Sequence, residues 1–525
     1  MKNRKPRLLT AGLALTLALS TGGSMAVAAS DTPDREMFAD KAAEKIKSIH
    51  ADSAASESDQ LDTGESAETT ETENAEQPET DDSDQSETAG SEQEEADAAE
   101  TESAEQEDPE PEGQEEPAPK GTTSELTEEA VAALRKANDL VVQYSYGKAI
   151  AELKAVENYS DFIQINEAIK SYQKMRDACV EYPLEEITHI FFHTLIYDTS
   201  KAFDDDYTAA GYNQVMTTIK EFRKILKYLY KRGYVLVSPH DMAKVNEDGT
   251  MSRGRILLPE GKKPLVLSQD DVSYYHYMDG DGFASRLVLD ENGEVKCEYI
   301  EDDGSVSTGD YDLVPILDAF VKEHPDFSYH GRKGILAMTG YNGVLGYRTD
   351  AAYRTGEELD ENQIDFLNAH PDFDFDEEVR QARAVADAMK ANGWEFASHT
   401  WGHRNATTSS AAELREDNER YENSVVPVLG KTDMIIFAFG ADIGNWDEYS
   451  WDNPKFAYYK SAGYNYYCNV DSSRYWVQIT PDFFRQGRRN LDGYRMYYNP
   501  EMLSDLFNVK KVWDKSRPTP VEPMG

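Results

Sequence analysis

The fold class is decided by the stretch Pro264-Leu265-Val266-Leu267-Ser268-Gln269-Asp270-Asp271. Its first four residues form a short apolar run, which is typical of a buried strand, and the run leads through two polar residues to adjacent carboxylates. A second run at 394–397 leads into Ser398-His399-Thr400-Trp401-Gly402-His403. Because the active groups of parallel α/β folds gather at the carboxyl ends of strands, we expect both polar segments at the same edge of one sheet.

Around these two stretches, predicted strands alternate with predicted helices from residue 184 onward. The strands are expected at 187–192, 233–237, 264–267, 335–339, 394–397, 434–439 and 464–470, and the helices at 212–232, 311–323, 377–392, 411–426 and 455–462. Such alternation over about 340 residues indicates one α/β domain with a parallel sheet or barrel, and the length suits a barrel with insertions. One insertion is expected at 286–300, a β-hairpin with Glu291-Asn292-Gly293 at its turn.

Composition divides the chain into four regions. A basic start, an apolar run and the small residues Ala26-Val27-Ala28 predict a secretory signal peptide at 1–29, with an uncleaved membrane anchor as the alternative. The acidic region 30–122 is expected to be a disordered linker, because it has too few apolar residues to build a core. Residues 123–183 show helical spacing and predict a helical hairpin that packs on the main domain or on a second chain. Residues 184–525 form the predicted α/β domain.

The charge of the chain restricts its partners. The sequence has 53 Lys and Arg residues against 99 Asp and Glu residues, which gives a formal net charge of -46. Much of that charge lies between residues 51 and 120, and we interpret this tract as a solvated spacer that holds the folded part away from a surface. Nucleic acid is not expected as a partner, because a chain this negative repels phosphates. After signal cleavage, no integral membrane segment is expected.

The cysteines Cys179, Cys297 and Cys468 are odd in number and widely spaced. Their spacing matches neither a zinc finger nor a dense disulfide framework. One disulfide and three free thiols both remain open, and the sequence does not choose between them.

Asp270, Asp271, His399 and His403 are residue types that bind divalent metals. One carboxylate and two imidazoles leave a coordination position open for water, and the second carboxylate can take a proton from that water. Taken singly, an Asp pair at a strand end is often a turn or a helix cap, and a His-x3-His pair often arises by chance. The two pairs together, each at a strand end, favour a metal site. It is not a zincin site, because Thr400 stands where that motif requires Glu.

The chain from Leu184 to about Pro518 resembles the polysaccharide deacetylases, the NodB-homology family of carbohydrate esterases (family four). Ser268-Gln269-Asp270-Asp271 corresponds to their Thr-Phe-Asp-Asp signature, and His399-Thr400-Trp401-Gly402-His403 matches their His-Ser/Thr-x-x-His signature in full. The resemblance implies a distorted (β/α)7 barrel. It also implies that Asp270 is the catalytic base and that Asp271, His399 and His403 hold one divalent metal, with zinc as the first candidate.

The same resemblance implies a metal-dependent enzyme, and the signal-peptide pattern predicts that it is secreted or cell-surface associated. Such an enzyme removes N- or O-linked acetyl groups from an extracellular polysaccharide, with peptidoglycan as one candidate substrate. Two alternatives stay open. One is a non-catalytic carbohydrate-binding or cell-surface protein on a decayed deacetylase scaffold, and the other is a barrel hydrolase that cleaves glycosidic bonds through paired carboxylates.

The sequence departs from the family pattern at several positions. Gln269 stands where the family has Phe, and Val272 stands where a Gly usually follows the Asp pair. The family's third signature corresponds to residues 437–440, which contain neither Arg nor Pro. No histidine follows His403, so the late-strand His that serves as general acid in the family has no counterpart here. These departures motivate the non-catalytic alternative.

Four further residues are predicted to contribute to the site. His193, at the expected end of the first barrel strand, is the candidate replacement for the general acid, with a hydrogen-bonded wall residue as the alternative. Tyr341 and Trp401 are predicted to stack on sugar rings, although aromatic residues near a site more often serve in packing. Arg495 is predicted to bind substrate by stabilising an oxyanion.

Overall fold

The computed structural model describes residues 123, 125–204, 206–471 and 473–524. The predicted signal peptide and the predicted acidic linker therefore lie outside the described residues. Within the described part of the chain, no helix combines the length and the apolar character that a membrane crossing requires. The three cysteines are free thiols, and two of them are buried.

Helices and strands alternate along most of the chain. The α-helices are α1 (Glu128–Val142), α2 (Tyr146–Lys154), α3 (Ile163–Asp177), α4 (Thr199–Ala202), α5 (Ala209–Val215), α6 (Ile219–Lys231), α7 (Pro239–Met242), α8 (Leu313–Glu323), α9 (Ala351–Thr355), α10 (Glu361–Ala369), α11 (Phe375–Ala391), α12 (Ala411–Ser424), α13 (Val426–Leu429), α14 (Pro454–Ser461), α15 (Gly493–Tyr498) and α16 (Val509–Val512). The strands are β1 (Cys179–Glu181), β2 (Thr188–Phe192), β3 (Tyr234–Leu236), β4 (Ala243–Val245), β5 (Met251–Arg253), β6 (Leu257–Pro259), β7 (Lys263–Asp270), β8 (Arg286–Leu289), β9 (Val295–Ile300), β10 (Val306–Gly309), β11 (Ile335–Met338), β12 (Glu395–Ser398), β13 (Met434–Ile436), β14 (Tyr466–Val470), β15 (Val477–Ile479) and β16 (Phe484–Asn490).

Seven parallel strands of the described chain close into a barrel in the order β2, β7, β11, β12, β13, β14 and β16, and β16 pairs with β2 again. Every residue of β2, β11 and β13 is buried, as expected for parallel strands that are covered on both faces. β3 pairs with the amino-terminal part of β7, and β15 runs antiparallel to β16. The α/β class and the (β/α)7 barrel predicted from the sequence are confirmed.

Amphipathic helices cover the outside of the barrel. Helix α6 begins at a capping box in which Thr218 and Glu221 bond each other's backbone amides. Its side chains Phe222 and Ile225 are fully buried in the main hydrophobic core. Burial of each side chain stabilises the folded state by roughly 1.5–3 kcal/mol. The prediction of one continuous helix at 212–232 is therefore wrong. The segment is divided into α5 and α6, because Thr218 caps the second helix instead of continuing the first.

The amino-terminal region contains three helices where the sequence predicted a two-helix hairpin. The additional helix, α2, is nine residues long, too short for a strong periodic pattern, yet it packs Ala149 and Leu153 into the core shared with α1 and α3. The unit also contacts the barrel. Tyr144 belongs to the cluster that fills the amino end of the barrel, and its hydroxyl donates a 2.8 Å hydrogen bond to the carbonyl of Asp326.

The predicted hairpin insertion forms and is longer than expected. Strands β8 and β9 pair antiparallel around a turn in which Gly293 has a positive φ of 77°. A third strand, β10, pairs with β9 and completes a small antiparallel sheet beside the barrel. This insertion contributes Leu287 and Cys297 to the main core, so it belongs to the same folded unit.

Candidate metal centre and active site

Asp271, His399 and His403 converge at the carboxyl end of the barrel. Each offers one ligand atom, and these atoms lie within 4.8 Å of one another. His403 Nε2 and Asp271 Oδ2 are 3.7 Å apart. Asp271 follows β7, and His399 follows β12, and β11 pairs with both strands. The sheet therefore brings together the two polar segments that are 128 positions apart in the chain.

The donor atoms of this triad fit a divalent metal. Asp271 Oδ1 accepts a hydrogen bond from the Tyr275 hydroxyl, whereas Asp271 Oδ2 is buried without a hydrogen-bond partner. His399 Nδ1 bonds the carbonyl oxygen of Ile436 at 2.6 Å, which assigns the proton to Nδ1 and leaves a lone pair on Nε2. Burial lowers the pKa of His399 to about 4, so the imidazole is neutral at neutral pH. A neutral imidazole and a one-oxygen carboxylate are ordinary zinc ligands.

Strained backbone carries these ligands. Asp271, Thr400 and His403 have φ values of 62°, 63° and 50°. These values lie in the left-handed region, which residues other than Gly seldom occupy. Each such residue costs roughly 1–3 kcal/mol and persists only when its surroundings hold it. Asp417 provides one restraint, because its carboxylate accepts hydrogen bonds from the Trp401 and Gly402 amides at 2.6 and 2.8 Å. Left-handed residues concentrated in one place are typical of functional sites.

Asp270, the neighbour of Asp271, lies beside the same centre. Its Oδ2 is 4.0 Å from His399 Nε2, and its two oxygens accept a bidentate pair of hydrogen bonds from Arg488 at 2.7 and 3.0 Å. Burial would raise the pKa of Asp270, but Arg488 and His399 outweigh that effect and hold the pKa at about 2. Asp270 is therefore ionised and fixed in orientation.

The comparisons with known proteins agree with this geometry. Residues 362–467 match the family model of polysaccharide deacetylase. This part of the chain therefore contains a polysaccharide deacetylase domain. The matched range contains both histidines of the triad and ends before Arg488; it does not reach back to Asp270 and Asp271.

One similar solved structure is the Streptococcus pyogenes deacetylase PplD in complex with acetate. It has 12% sequence identity and a TM-score of 0.32, and the alignment covers 62% of this chain and 98% of that chain. With a TM-score this low, the similarity bears on neither substrate nor residue roles. No curated protein matches this sequence.

Sequence reasoning missed Arg488, which bonds Asp270 at this site. It lies on β16, where Gln486 and Arg488 are both buried and share one face of the strand. The signal was present in the sequence, because a buried strand rarely contains Arg without a carboxylate partner. Sequence reasoning placed the important arginine seven residues later, at Arg495.

Arg495 occupies a different position from the one expected. It lies on α15, after the last barrel strand, and its side chain bonds Asn490, Asn499 and the sulfur of Met502. Those partners belong to the end of β16 and the segment that follows it, and the place beside Asp270 is taken by Arg488. These contacts lie along its own segment, and the substrate-binding role of Arg495 stays a prediction.

His193 lies next to the Asp pair, directly after β2. Its ring is partly exposed, and its Nδ1 bonds the carbonyl oxygen of Val215 at 3.2 Å. His189, four residues earlier, is fully buried and bonds Ser268. The position of His193 is compatible with an acid at the site, and its role stays a prediction.

The two aromatic residues predicted to stack on sugars are engaged in packing. Tyr341 is buried and stacks on Tyr275 at 4.8 Å. Trp401 lies under the guanidinium of Arg420 at 4.6 Å, and a Cβ added to Gly340 would meet its indole at 2.1 Å. Neighbours this close leave little of either ring surface open to a sugar. A role in substrate binding stays a prediction for Tyr341 and Trp401.

Proposed function

We propose that this chain is a metal-dependent deacetylase that removes N- or O-linked acetyl groups from an extracellular polysaccharide. One observation carries the proposal: a buried triad, with the unpartnered oxygen of Asp271 among its donor atoms, lies beside an ionised carboxylate that Arg488 holds in place. The match of residues 362–467 to polysaccharide deacetylase supports the reaction class, and the site supplies groups suited to it.

Asp271, His399 and His403 would hold the metal, and zinc is the ion that best fits two imidazoles and one carboxylate. When bound, such a metal polarises an acyl carbonyl and lowers the pKa of a coordinated water. Burial raises the pKa of Asp271 above its usual value, which means that the site disfavours an uncompensated negative charge at that position. A divalent cation is the natural compensation.

Asp270 would act as the general base. It is the carboxylate that Arg488 orients, and one of its oxygens faces His399 at 4.0 Å. In hydrolysis, the oxygen of a water molecule attacks the acetyl carbon while Asp270 accepts the proton that this water loses. The bond from the acetyl carbon to the substrate nitrogen or oxygen then breaks, and acetate is one product.

His193 would protonate the leaving nitrogen or oxygen. The Val215 carbonyl accepts a hydrogen bond from its Nδ1, so Nε2 is the nitrogen available for transfer to substrate. Partial exposure keeps this ring accessible to solvent, which can restore its proton after each turnover. The family's late-strand histidine is absent from the sequence, and His193 supplies the same chemistry from the first barrel strand.

The proposal also includes a location and a substrate source. The signal-peptide pattern at 1–29 supports export, and the acidic tract supports a spacer between a surface and the barrel. Acetylated cell-wall polysaccharide, peptidoglycan included, is then the substrate within reach. The alternative is a non-catalytic carbohydrate-binding protein on the same scaffold, which the low pKa of Asp270 favours because it makes the carboxylate a weak base.

Acetate release separates these two functions. The full mature chain is loaded with zinc and incubated with acetylated chitooligosaccharide or acetylated peptidoglycan, and acetate is measured enzymatically. We expect release by the native protein, loss in Asp270→Asn, and native rates in His370→Ala, an exposed histidine at the end of α10. Sugar binding without acetate release from any acetylated polymer would establish the non-catalytic alternative.

A further inference from the structure

We propose that Tyr275 positions Asp271 as a single-oxygen metal ligand. The hydroxyl of Tyr275 lies 2.8 Å from Asp271 Oδ1, and this contact reserves one carboxylate oxygen while the other stays available. The inference rests on the proposed metal site at Asp271, His399 and His403, and it concerns how tightly that site binds its ion.

The hydrogen bonds of Tyr275 have one possible direction. An ionised carboxylate only accepts, so the Tyr275 hydroxyl must donate its single proton to Asp271. The same hydroxyl lies 2.7 Å from Thr339 Oγ1, and it can therefore only accept there. Thr339 in turn lies 3.1 Å from the hydroxyl of Ser273, which must then be the donor of that bond. Three hydroxyl groups thus point their protons towards Asp271 in series.

Burial strengthens this series of hydrogen bonds. Ser273, Thr339 and Tyr275 are at most 1% exposed, and Asp271 is 5% exposed. In a site of low dielectric constant, a donor bonded to a charged acceptor is worth more than one in water, and successive hydroxyls polarise one another. Asp271 Oδ2 has no hydrogen-bond partner and lies 3.7 Å from His403 Nε2, which is the side where a metal would sit.

The ring of Tyr275 is held so that it cannot swing away from Asp271. Tyr277 stacks on it at 5.5 Å with an interplanar angle of 14°, and Tyr341 stacks at 4.8 Å with an angle of 10°. The turn that brings residue 275 back over Asp271 has left-handed backbone at Asp271 and Tyr274. Arg348 holds that turn by donating to the carbonyl of Tyr274 at 3.0 Å. A ligand whose partner is this rigid loses little entropy when it binds metal.

The adjacent residue provides a matched control. Tyr274 is equally buried, and its hydroxyl also donates to a buried carboxylate, Asp312 Oδ2, at 2.7 Å. Asp312 is outside the metal triad and also accepts hydrogen bonds from Gln269. Tyr274→Phe therefore removes the same group from a comparable environment without touching the ligands, and it takes the donor from Asp312 instead of Asp271.

The test measures metal affinity of the full chain after it has been stripped of metal. Zinc binding to the native protein, Tyr275→Phe and Tyr274→Phe is determined by competition with a chromogenic chelator, and urea unfolding is measured without metal. We expect Tyr275→Phe to bind zinc roughly ten- to a hundredfold more weakly and Tyr274→Phe to stay within about twofold of native. Both variants should lose stability in the metal-free state, because each removes a buried hydroxyl that donates to a carboxylate.

A third variant tests the next hydroxyl in the series. Thr339→Val removes the donor to Tyr275 but leaves the Tyr275–Asp271 bond, so its zinc affinity should fall by less than that of Tyr275→Phe. Equal affinity of Tyr275→Phe and the native protein would overturn the positioning role, and so would an equal loss in Tyr274→Phe. If the native chain itself binds no zinc, the metal site fails and this inference fails with it.

Discussion

Each end of the barrel has a cluster of histidine and carboxylate side chains, but the histidines of the two clusters differ in charge. At the carboxyl end, His399 is neutral, since burial lowers its pKa to about 4, and only one of its ring nitrogens bonds the protein. At the amino end, His240 bonds Glu395 through Nδ1 at 3.1 Å and Asp433 through Nε2 at 2.9 Å. Burial acts to lower the pKa of His240, but the two carboxylates outweigh it and raise the pKa well above its usual value.

The charged groups of the amino-end cluster pair with one another. Arg332 bonds Glu395 at 3.1 Å and lies 3.4 Å from Asp241, and Ser238 donates to Glu395 at 2.8 Å. The cations His240 and Arg332 therefore each face two carboxylates. Asp271 Oδ2, at the other end, has no hydrogen-bond partner. The difference shows that histidine and carboxylate types do not define a metal site. At the carboxyl end, an oxygen without a hydrogen-bond partner lies beside a neutral imidazole, and this combination favours a metal site.

The largest effect is expected when ligands are removed from the carboxyl-end site. The double variant Asp271→Ala, His399→Ala removes two of three ligands, so bound zinc should fall from about one per chain to near zero, with acetate release reduced by roughly 10³-fold or more. Elemental analysis and the acetate assay measure these outcomes. A double variant that retains the native metal content would show that the ion binds elsewhere.

Asp270→Asn should separate chemistry from metal binding. The amide cannot accept the proton from water, and we expect roughly a 10²–10⁴-fold lower kcat. Bound zinc should remain near native, because Asp270 is not one of the three ligands. Loss of both properties together would mean that Asp270 supports the site structurally and would remove the reason to name it as the base.

His240→Gln should have the opposite profile, with metal and activity retained and stability reduced. Breaking a half-buried cluster of this kind costs roughly 1–3 kcal/mol at neutral pH. The pKa of His240 is raised in the folded state, so its contribution is complete below about pH 6.5 and is lost as pH rises through the raised value. Urea unfolding of native and variant protein should therefore converge at alkaline pH. A gap that widens with pH would contradict this account.

Arg488→Lys should change the pH dependence of activity. Because Arg488 lowers the pKa of Asp270, a lysine, which cannot form the bidentate pair, should let that pKa rise. The acid limb of kcat/KM is expected to move to higher pH, with zinc affinity little changed. An acid limb that stays in place would show that another group controls it.

The smallest effect is expected for Arg495→Gln. Its side chain bonds Asn490 and Asn499 rather than the centre, so acetate release should stay within about twofold of native. Arg488→Gln is the matched comparison, since the same change is made at the arginine that bonds Asp270. A large loss of kcat in Arg495→Gln would restore the role that the sequence suggested for it.

Short local patterns predicted an α/β domain and placed the Asp pair near His399 and His403, and the family resemblance added the (β/α)7 barrel and the choice of Asp271 as the ligand. Apolar runs such as 264–267 mark strands, and polar residues after a strand mark its carboxyl end, so Asp271, His399 and His403 were expected together. The continuous helix at 212–232 and the two-helix hairpin were wrong. In each, a local event decided the outcome: the Thr218 cap in the first and the short helix α2 in the second.

By itself the sequence determined which residues could bind a metal, because ligand chemistry belongs to the residue type and strand ends can be recognised locally. Only the tertiary structure decided which groups are paired. Arg488 reaches Asp270 across 218 positions, and Tyr275 turns back to bond Asp271 because two left-handed residues reverse the chain. It also decided that His240 is charged while His399 is neutral. Charge state depends on burial and on partners, and these are set by how distant segments pack.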